Sequence, residues 1–390
     1  MQKDIVILGS GLSGMIAAIA FAHMGSRVVL LERSNMQFPL DQRTTALTNA
    51  SKKFLSEIGI WKDLEHCISP IRDIYVLDDK APQILHFSER ESKQEALGYM
   101  IENRYLREAL EKLIHHPLID LRLEMNYTVE FEGDKCKILA SRFGSEEGGL
   151  DVYNPELAVL CEGKNSIIKQ QYFTNSIDKS YGQSALTMIV KHEKPHEGTA
   201  VEHFMPQGPF AILPLCDPNQ SSIVWTEGTE LAPIYMKMQK EELTEHLMER
   251  FGEFLGKVEI ISEMQTFPLS AALVRNYYKG NLVILGDAAH TIHPLAGQGL
   301  NQGILDTEEL VGLIRRNKAI GLPLDGIVLQ EYENKRKLDN YLMYSVTDNL
   351  NRFFCNKIPL LRNIRKLGLS VVEKFPKIKK MLVKYATHNT

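Results

Sequence analysis

With 390 residues, 44% hydrophobic and 24% charged side chains, the chain is ordinary globular material and long enough for two interleaved domains. A net charge of −4 gives no reason to expect a nucleic-acid partner. Five scattered cysteines (Cys67, Cys136, Cys161, Cys216, Cys355), none in a C-x-x-C pair, fit a reducing compartment and argue against a zinc site or a disulfide framework.

The first element predicted is a strand over Asp4–Leu8, followed by a helix over Leu12–Met24 and a second strand over Arg27–Leu31, a βαβ opening. Ile5 to Met24 holds no Asp, Glu, Lys or Arg and could pass for a signal or membrane helix. Glycines at 9, 11 and 14 break it, and a nucleotide-binding pattern accounts for it, so a cytoplasmic location is the expectation. Gly9-Ser10-Gly11-Leu12-Ser13-Gly14 sits between strand and helix, where glycines allow a tight turn, close approach to a pyrophosphate and close helix–strand packing. Glu32 ends the next strand, with Arg33 beside it. Its carboxylate can accept hydrogen bonds from an adenosine ribose and repels a 2′-phosphate.

Residues 45–66 carry a helical pattern, Arg72–Asp78 and Ile84–Ser88 alternate like strands, and Arg104–His115 is strongly helical. Strands are expected over Leu121–Val129, Cys136–Ala140 and Leu157–Cys161, with a polar loop over Ser145–Gly149. From Tyr181 to Glu227 the pattern is β: Ala185–His192, Ala200–Met205, Phe210–Leu213 and Ser222–Thr226. Glu241–Phe254 reads as an amphipathic helix. Leu282–Leu285 is a buried strand ending at Gly286-Asp287, and helix follows from Gly299. There Gly297, Gly299 and Gly303 open a helix whose unpaired N–H groups favour an anionic or electron-rich ligand. His290 and His293 lack the accompanying carboxylate of a zinc helix, so no metal is expected. No general base is assigned: His203 on a middle strand could approach a substrate, but a satisfied surface or core histidine is the expected reading.

Residues 286–306, GDAAHTIHPLAGQGLNQGILD, resemble the signature of the ubiquinone-biosynthesis hydroxylases, a branch of the flavin-dependent aromatic monooxygenases. Asp41–Leu47, Gly98–Arg104 and Leu157–Ser166 resemble further segments of that family, and the likeness spans nearly the whole chain. Two departures stand out: Glu162 for the usual Asp and Lys169 for the usual Arg, and Lys cannot make a bidentate guanidinium contact. The resemblance implies an α/β fold: a Rossmann-like FAD/NAD(P)-binding domain built from discontinuous segments (1–71, 99–171 and 270–340). An inserted β-rich substrate domain (72–98 and 172–269) and a C-terminal helical region (341–390) complete it.

The implied function is hydroxylation of the ring of a polyprenylated phenol, with bound FAD, transient NAD(P)H and O2, through a flavin C4a-hydroperoxide. Gly9, Gly11, Leu12, Ser13, Gly14, Glu32, Arg33, Arg43, Asn103 and Asp287 are the implied cofactor contacts. Pro294, Gly297, Gly299, Leu300 and Asn301 would surround the flavin ring and the oxygen chemistry. A same-fold flavoprotein acting on another aromatic, or an FAD subunit of a biosynthetic complex that does not turn over, remains the alternative. A halogenase does not, since Trp61 and Trp225 are the only tryptophans and form no W-x-W motif. Between 351 and 390, ten Lys/Arg stand against Glu373 alone, with Leu360, Leu361, Ile364, Leu367 and Val371 at helical spacing. That segment reads either as an amphipathic helix packed on the domain or as a contact to anionic lipid at the inner membrane. Other enzymes of ubiquinone biosynthesis are further candidate partners.

Overall fold

The computed structural model describes residues 5–37, 41–78, 84–92, 95–144, 149–293 and 297–354. Pro294, the 145–148 part of the expected polar loop and the basic segment from 355 onward lie outside the described residues. The amino-terminal strand, Ile5–Leu8, is fully buried and pairs in parallel with Val28–Leu31 on one side and Leu157–Leu160 on the other. Leu282–Ile284 joins Leu157–Leu160, also in parallel, and Ile119–Arg122 joins Val28–Leu31. Tyr278–Lys279 closes the far edge as the antiparallel strand of a six-stranded sheet. Strands buried on both faces need continuous apolar runs, which IVIL, VVLL and LAVL supply. Parallel pairing sets the ends of strands distant in sequence side by side, so Gly9, Glu32, Glu162 and Asp287 emerge along one edge. Ligands of open α/β sheets bind at such an edge.

A second, nine-stranded sheet carries Asp73–Asp78, Ile84–Ser88, Ser176–His192, Thr199–Met205, Gly208–Pro214, Gln220–Gly228 and Gln265–Val274. Period-2 alternation divides its residues. Leu186, Met188, Val201, Phe210, Ile212, Ile223 and Trp225 form one apolar core with Leu243, Leu247 and Phe251 of the Lys240–Phe251 helix. Burying each large side chain there contributes roughly 1.5–3 kcal/mol. The alternate residues face away from that helix.

Three expected elements differ. The 45–66 pattern divides into a strand, Thr44–Leu47, paired with Gly98–Glu102, and a helix, Asn49–Glu57. Thr48, whose hydroxyl accepts from the Ser51 N–H, caps that helix and stops it from reaching back to Leu47. The expected 121–129 strand is two, Ile119–Arg122 and Met125–Glu132, because Glu124 turns through φ +57°. The strand expected at 185–192 begins at Ser176, with a register shift between Ser180 and Ser184. Helices over Gln298–Ala319 and Gly326–Phe354 complete the described chain, the second running unbroken through 340–341. Among the described residues no helix is long and apolar enough to cross a membrane.

Candidate active site

The Leu12–His23 helix begins at Gly11 without a side-chain cap, so its first N–H groups have no internal partner. A Cβ on Gly14 would stand 1.9 Å from the Gly9 carbonyl oxygen, so only glycine lets the helix approach the strand this closely. At Gly11 a Cβ would meet no protein atom within 4 Å, and the space is open for a ligand. Glu32 accepts from the Ser10 N–H at 2.7 Å, the Ser10 hydroxyl at 2.8 Å and the Ser34 N–H at 2.8 Å. Burial works to raise its pKa, but these hydrogen bonds outweigh it and hold the carboxyl below its usual range.

Arg33 donates to Glu162 at 2.9 Å and to the Tyr127 carbonyl at 3.1 Å, with its guanidinium 4.1 Å from the centroid of the Tyr127 ring. Glu162 also accepts from the Ser166 hydroxyl at 2.6 Å. Arg33, expected on the cofactor, is thus occupied in bracing Glu162. Lys169 is buried, and its ammonium forms no hydrogen bond or ion pair among the described residues. Burial pushes its pKa down, partly offset by Asp178 and Asp287.

Arg43 forms a two-point ion pair with Asp41, both contacts 2.8 Å, and lies 5.1 Å from the Phe267 ring centroid. Hydrogen bonding to Asp41 raises its pKa further, so it stays charged. Asn103 opens the Asn103–Leu113 helix. Its N–H bonds the Arg43 carbonyl at 2.9 Å, and its side chain accepts from the Thr45 hydroxyl at 2.7 Å. The expected site residues Arg43 and Asn103 are therefore one unit, although far apart in sequence.

Gly297 adopts φ +62° as the cap of the Gln298–Ala319 helix, and Gly286 adopts φ +64°. The helix starts at Gln298, not Gly299. The unpaired donors are then the N–H groups of Gln298, Gly299 and Leu300, whereas the Asn301 N–H stands where the first helical turn closes. Asn301 acts instead through its side chain, which donates to the Ala46 carbonyl at 2.7 Å. It also accepts from the Thr48 N–H at 3.0 Å and the Ser51 hydroxyl at 2.7 Å. Asp287 is exposed, with no hydrogen bond to its carboxylate among the described residues. His290 bonds Asp306 at 2.5 Å. His293 is 1% exposed, edge-on to Tyr181 at 4.8 Å, and neither ring nitrogen has a partner among the described residues. Burial lowers its pKa to about 4, with Asp348 opposing and Lys179 assisting, so its ring is neutral near pH 7. Among the described residues no three His, Cys, Asp or Glu side chains are grouped to hold a metal ion.

Arg43, Asp287, His293 and Gly297 share one cavity of about 320 Å³ with the outward face of the nine-stranded sheet. Its wall includes residues that sequence reasoning misses: Lys164, Thr187, Glu202, Ala211 and Val224. The alternation of the strands is the available signal. The same alternation turns His203, which follows Glu202 on the strand, to the other side, where a histidine outside the site is expected. Glu202 is half-buried against the cavity, and loss of bulk water pushes its carboxyl up to about 7.

A glycine-built helix start, an acid at the end of the second strand and a walled cavity beside a third strand end define a dinucleotide-binding α/β flavoprotein. Residues 2–316 match the model of the FAD binding domain family. The chain is 35% identical to ubiquinone hydroxylase UbiL of Rhodospirillum rubrum, over 98% of this chain and 89% of that protein. It is 30% identical to 3-demethoxyubiquinol 3-hydroxylase of Escherichia coli, over 98% of each. In fold it is similar to p-nitrophenol 4-monooxygenase PnpA from Pseudomonas putida DLL-E4, with TM-score 0.78 and 16% identity over 99% and 98% of the two chains. The chain belongs to the FAD binding domain family and, within it, to the ubiquinone hydroxylases; it is an FAD-dependent monooxygenase.

Proposed function

We propose that the protein hydroxylates the aromatic ring of a polyprenylated phenol in ubiquinone biosynthesis, with NAD(P)H as transient reductant and O2 as oxygen donor. The observation that carries this reading is the single cavity walled by Arg43, Asp287 and Gly297 on one side and by the apolar sheet face on the other. Bound FAD supplies the oxygen activation that no side chain can. Gly9, Gly11, Leu12, Ser13 and Gly14 hold its pyrophosphate, and Glu32 its ribose. Arg43 and Asn103 line its ring side, and the uncommitted Asp287 carboxylate takes its ribityl hydroxyls. The N–H groups of Gly299 and Leu300 stabilise negative charge beside the ring. Lys169 and Glu162 stand next to this cradle and modulate use of NAD(P)H.

The apolar wall excludes water, which protects a reactive oxygen intermediate from wasteful breakdown. About 320 Å³ admits a substituted ring but not a long polyprenyl chain, so the chain extends outside. A lipid-borne substrate fits a role for the basic 351–390 segment at an anionic membrane surface, peripheral to the cytoplasmic side. The cofactor domain comprises 1–71, 99–171 and 270–340, and the substrate domain 72–98 and 172–269. NAD(P)H oxidation by the FAD-loaded protein should rise with a prenylphenol, and the product should gain one oxygen atom. Stimulation without an oxygenated product would refute the reading.

A further inference from the structure

The cavity face of the nine-stranded sheet is small or apolar at Ala185, Pro209, Ala211, Leu213, Val224 and Phe267. Polar side chains interrupt it at Thr187, Glu202, Thr226, Ser270 and Thr291, and the first two lie in one row across the strands. Glu202 stands opposite Ala211, Ala211 opposite Val224, and Val224 opposite Thr187. Strands lie about 4.8 Å apart, so three steps separate the two polar residues by roughly 14 Å between Cα atoms. Ala211 and Val224 lie between them and leave a flat floor for a ring.

Neither of these two polar groups is satisfied among the described residues. Glu202 makes no hydrogen bond or ion pair among the described residues, and the Thr187 hydroxyl is buried with no partner. Arg43, a cation of the same cavity wall, is taken by Asp41. Native structures rarely leave buried polar groups unpaired unless a ligand or water completes them. A carboxyl in an apolar cavity, facing a hydroxyl across a ring-sized floor, is complementary to a ring that bears its own donor.

We propose that Glu202 is the specificity-determining residue of this site, accepting the hydrogen bond of the substrate's ring hydroxyl, with Thr187 as the second polar contact at the opposite edge. This role rests on the reading of the substrate as a prenylated phenol. The site should then distinguish a phenol from its methyl ether, which has a similar shape but no proton to donate.

The test uses the full-length, FAD-loaded protein without NAD(P)H at about pH 8.5, where the Glu202 carboxyl, pushed up to about 7, is ionised. It is titrated with ortho-farnesylphenol and with its methyl ether, and followed by the change in flavin absorbance. The wild type should bind the phenol roughly ten- to a hundredfold more tightly, the range for a hydrogen bond to a charged acceptor. Glu202→Leu should bring the ratio close to one while the ether binds as before. Glu202→Gln keeps a neutral acceptor and should give an intermediate ratio, which decides the matter if the Leu variant fails to take up FAD. A wild-type ratio in either variant overturns the assignment of Glu202 alone. A wild type that binds neither probe removes the prenylphenol reading and this inference with it.

Discussion

Arg336 donates through Nε to Asp306 Oδ1 at 2.7 Å, and both side chains are sealed from solvent, at 5% and 0% exposure. The pair joins the last two described helices. The other oxygen of Asp306 accepts from the Gly286 N–H at 3.0 Å and from His290, so the ion pair also fixes the turn that presents Asp287. Gln302 and Asn340 share the Arg336 guanidinium.

Removing one partner of a buried pair leaves the other charge uncompensated. Arg336→Met should therefore lower stability by about 3–5 kcal/mol, read as a fall in Tm and in the denaturation midpoint. A loss below ~1 kcal/mol would show that Asp306 is neutralised by His290 alone. The His290 and Arg336 charges hold the Asp306 pKa far below its usual value against the effect of burial. Its stabilisation is thus complete above the unfolded-state carboxyl pKa and is lost only as the pH falls well below it.

Two glycines of the amino-terminal turn should behave oppositely. Gly14→Ala forces a methyl group into the Gly9 carbonyl and should destabilise the apoprotein by roughly 1–3 kcal/mol. Gly11→Ala meets no protein atom and has φ −62°, so apoprotein stability should stay within about 0.5 kcal/mol. Its methyl group instead enters the space proposed for the pyrophosphate, and FAD affinity should fall tenfold or more. Unchanged FAD affinity in Gly11→Ala, measured by fluorescence titration, would displace the pyrophosphate from this turn.

Asn301→Ala removes a hydrogen-bond partner from the Ala46 carbonyl, the Thr48 N–H and the Ser51 hydroxyl together, and the Ser51 hydroxyl keeps, among the described residues, only the bond it accepts from Thr48. The expected loss is about 2–4 kcal/mol, given that each buried group left unsatisfied costs ~1–3 kcal/mol before relaxation. Thermal unfolding of the apoprotein measures it. A neutral result would mean that water replaces the side chain.

His293 gives the protein an acid sensitivity distinct from that of its carboxylates. Its pKa falls from about 6.5 unfolded to about 4 folded, so between these values the unfolded chain binds a proton that the folded chain does not. Stability from this residue is complete above about pH 6.5 and drains away as the pH falls toward 4, by up to roughly 3 kcal/mol. His192 and His196, also lowered by burial, act in the same direction. His293→Phe should flatten the denaturation midpoint across that window; a slope identical to wild type would assign the sensitivity to the other two.

Much of the cofactor half is legible in the amino-acid order alone. The spacing of Gly9, Gly11 and Gly14, the acid at 32 and the strand–turn–helix at 282–303 are local patterns, set by the chemistry of one turn and its flanks. The helix boundary at Thr48 and the break at Glu124 are not legible, because a cap and one left-handed residue override longer periodicities. Asn301 has the expected position but a different job, its side chain being engaged by the Thr44–Leu47 strand and the helix cap that follows it.

Local sequence thus decided that this chain builds a dinucleotide turn, where its strands alternate, and which residues share each strand's face. It could not say which face lines the cavity, since that depends on the order and register of strands distant in sequence. Only the pairing of Thr199–Met205, Gly208–Pro214, Gln220–Gly228 and Ser176–His192 puts Glu202 and Thr187 in one row. Only parallel pairing at Ile5, Leu157 and Leu282 brings Gly9, Glu162 and Asp287 to one edge. Long-range register is chosen by burial of the whole apolar face at once, and no short window of sequence contains that sum.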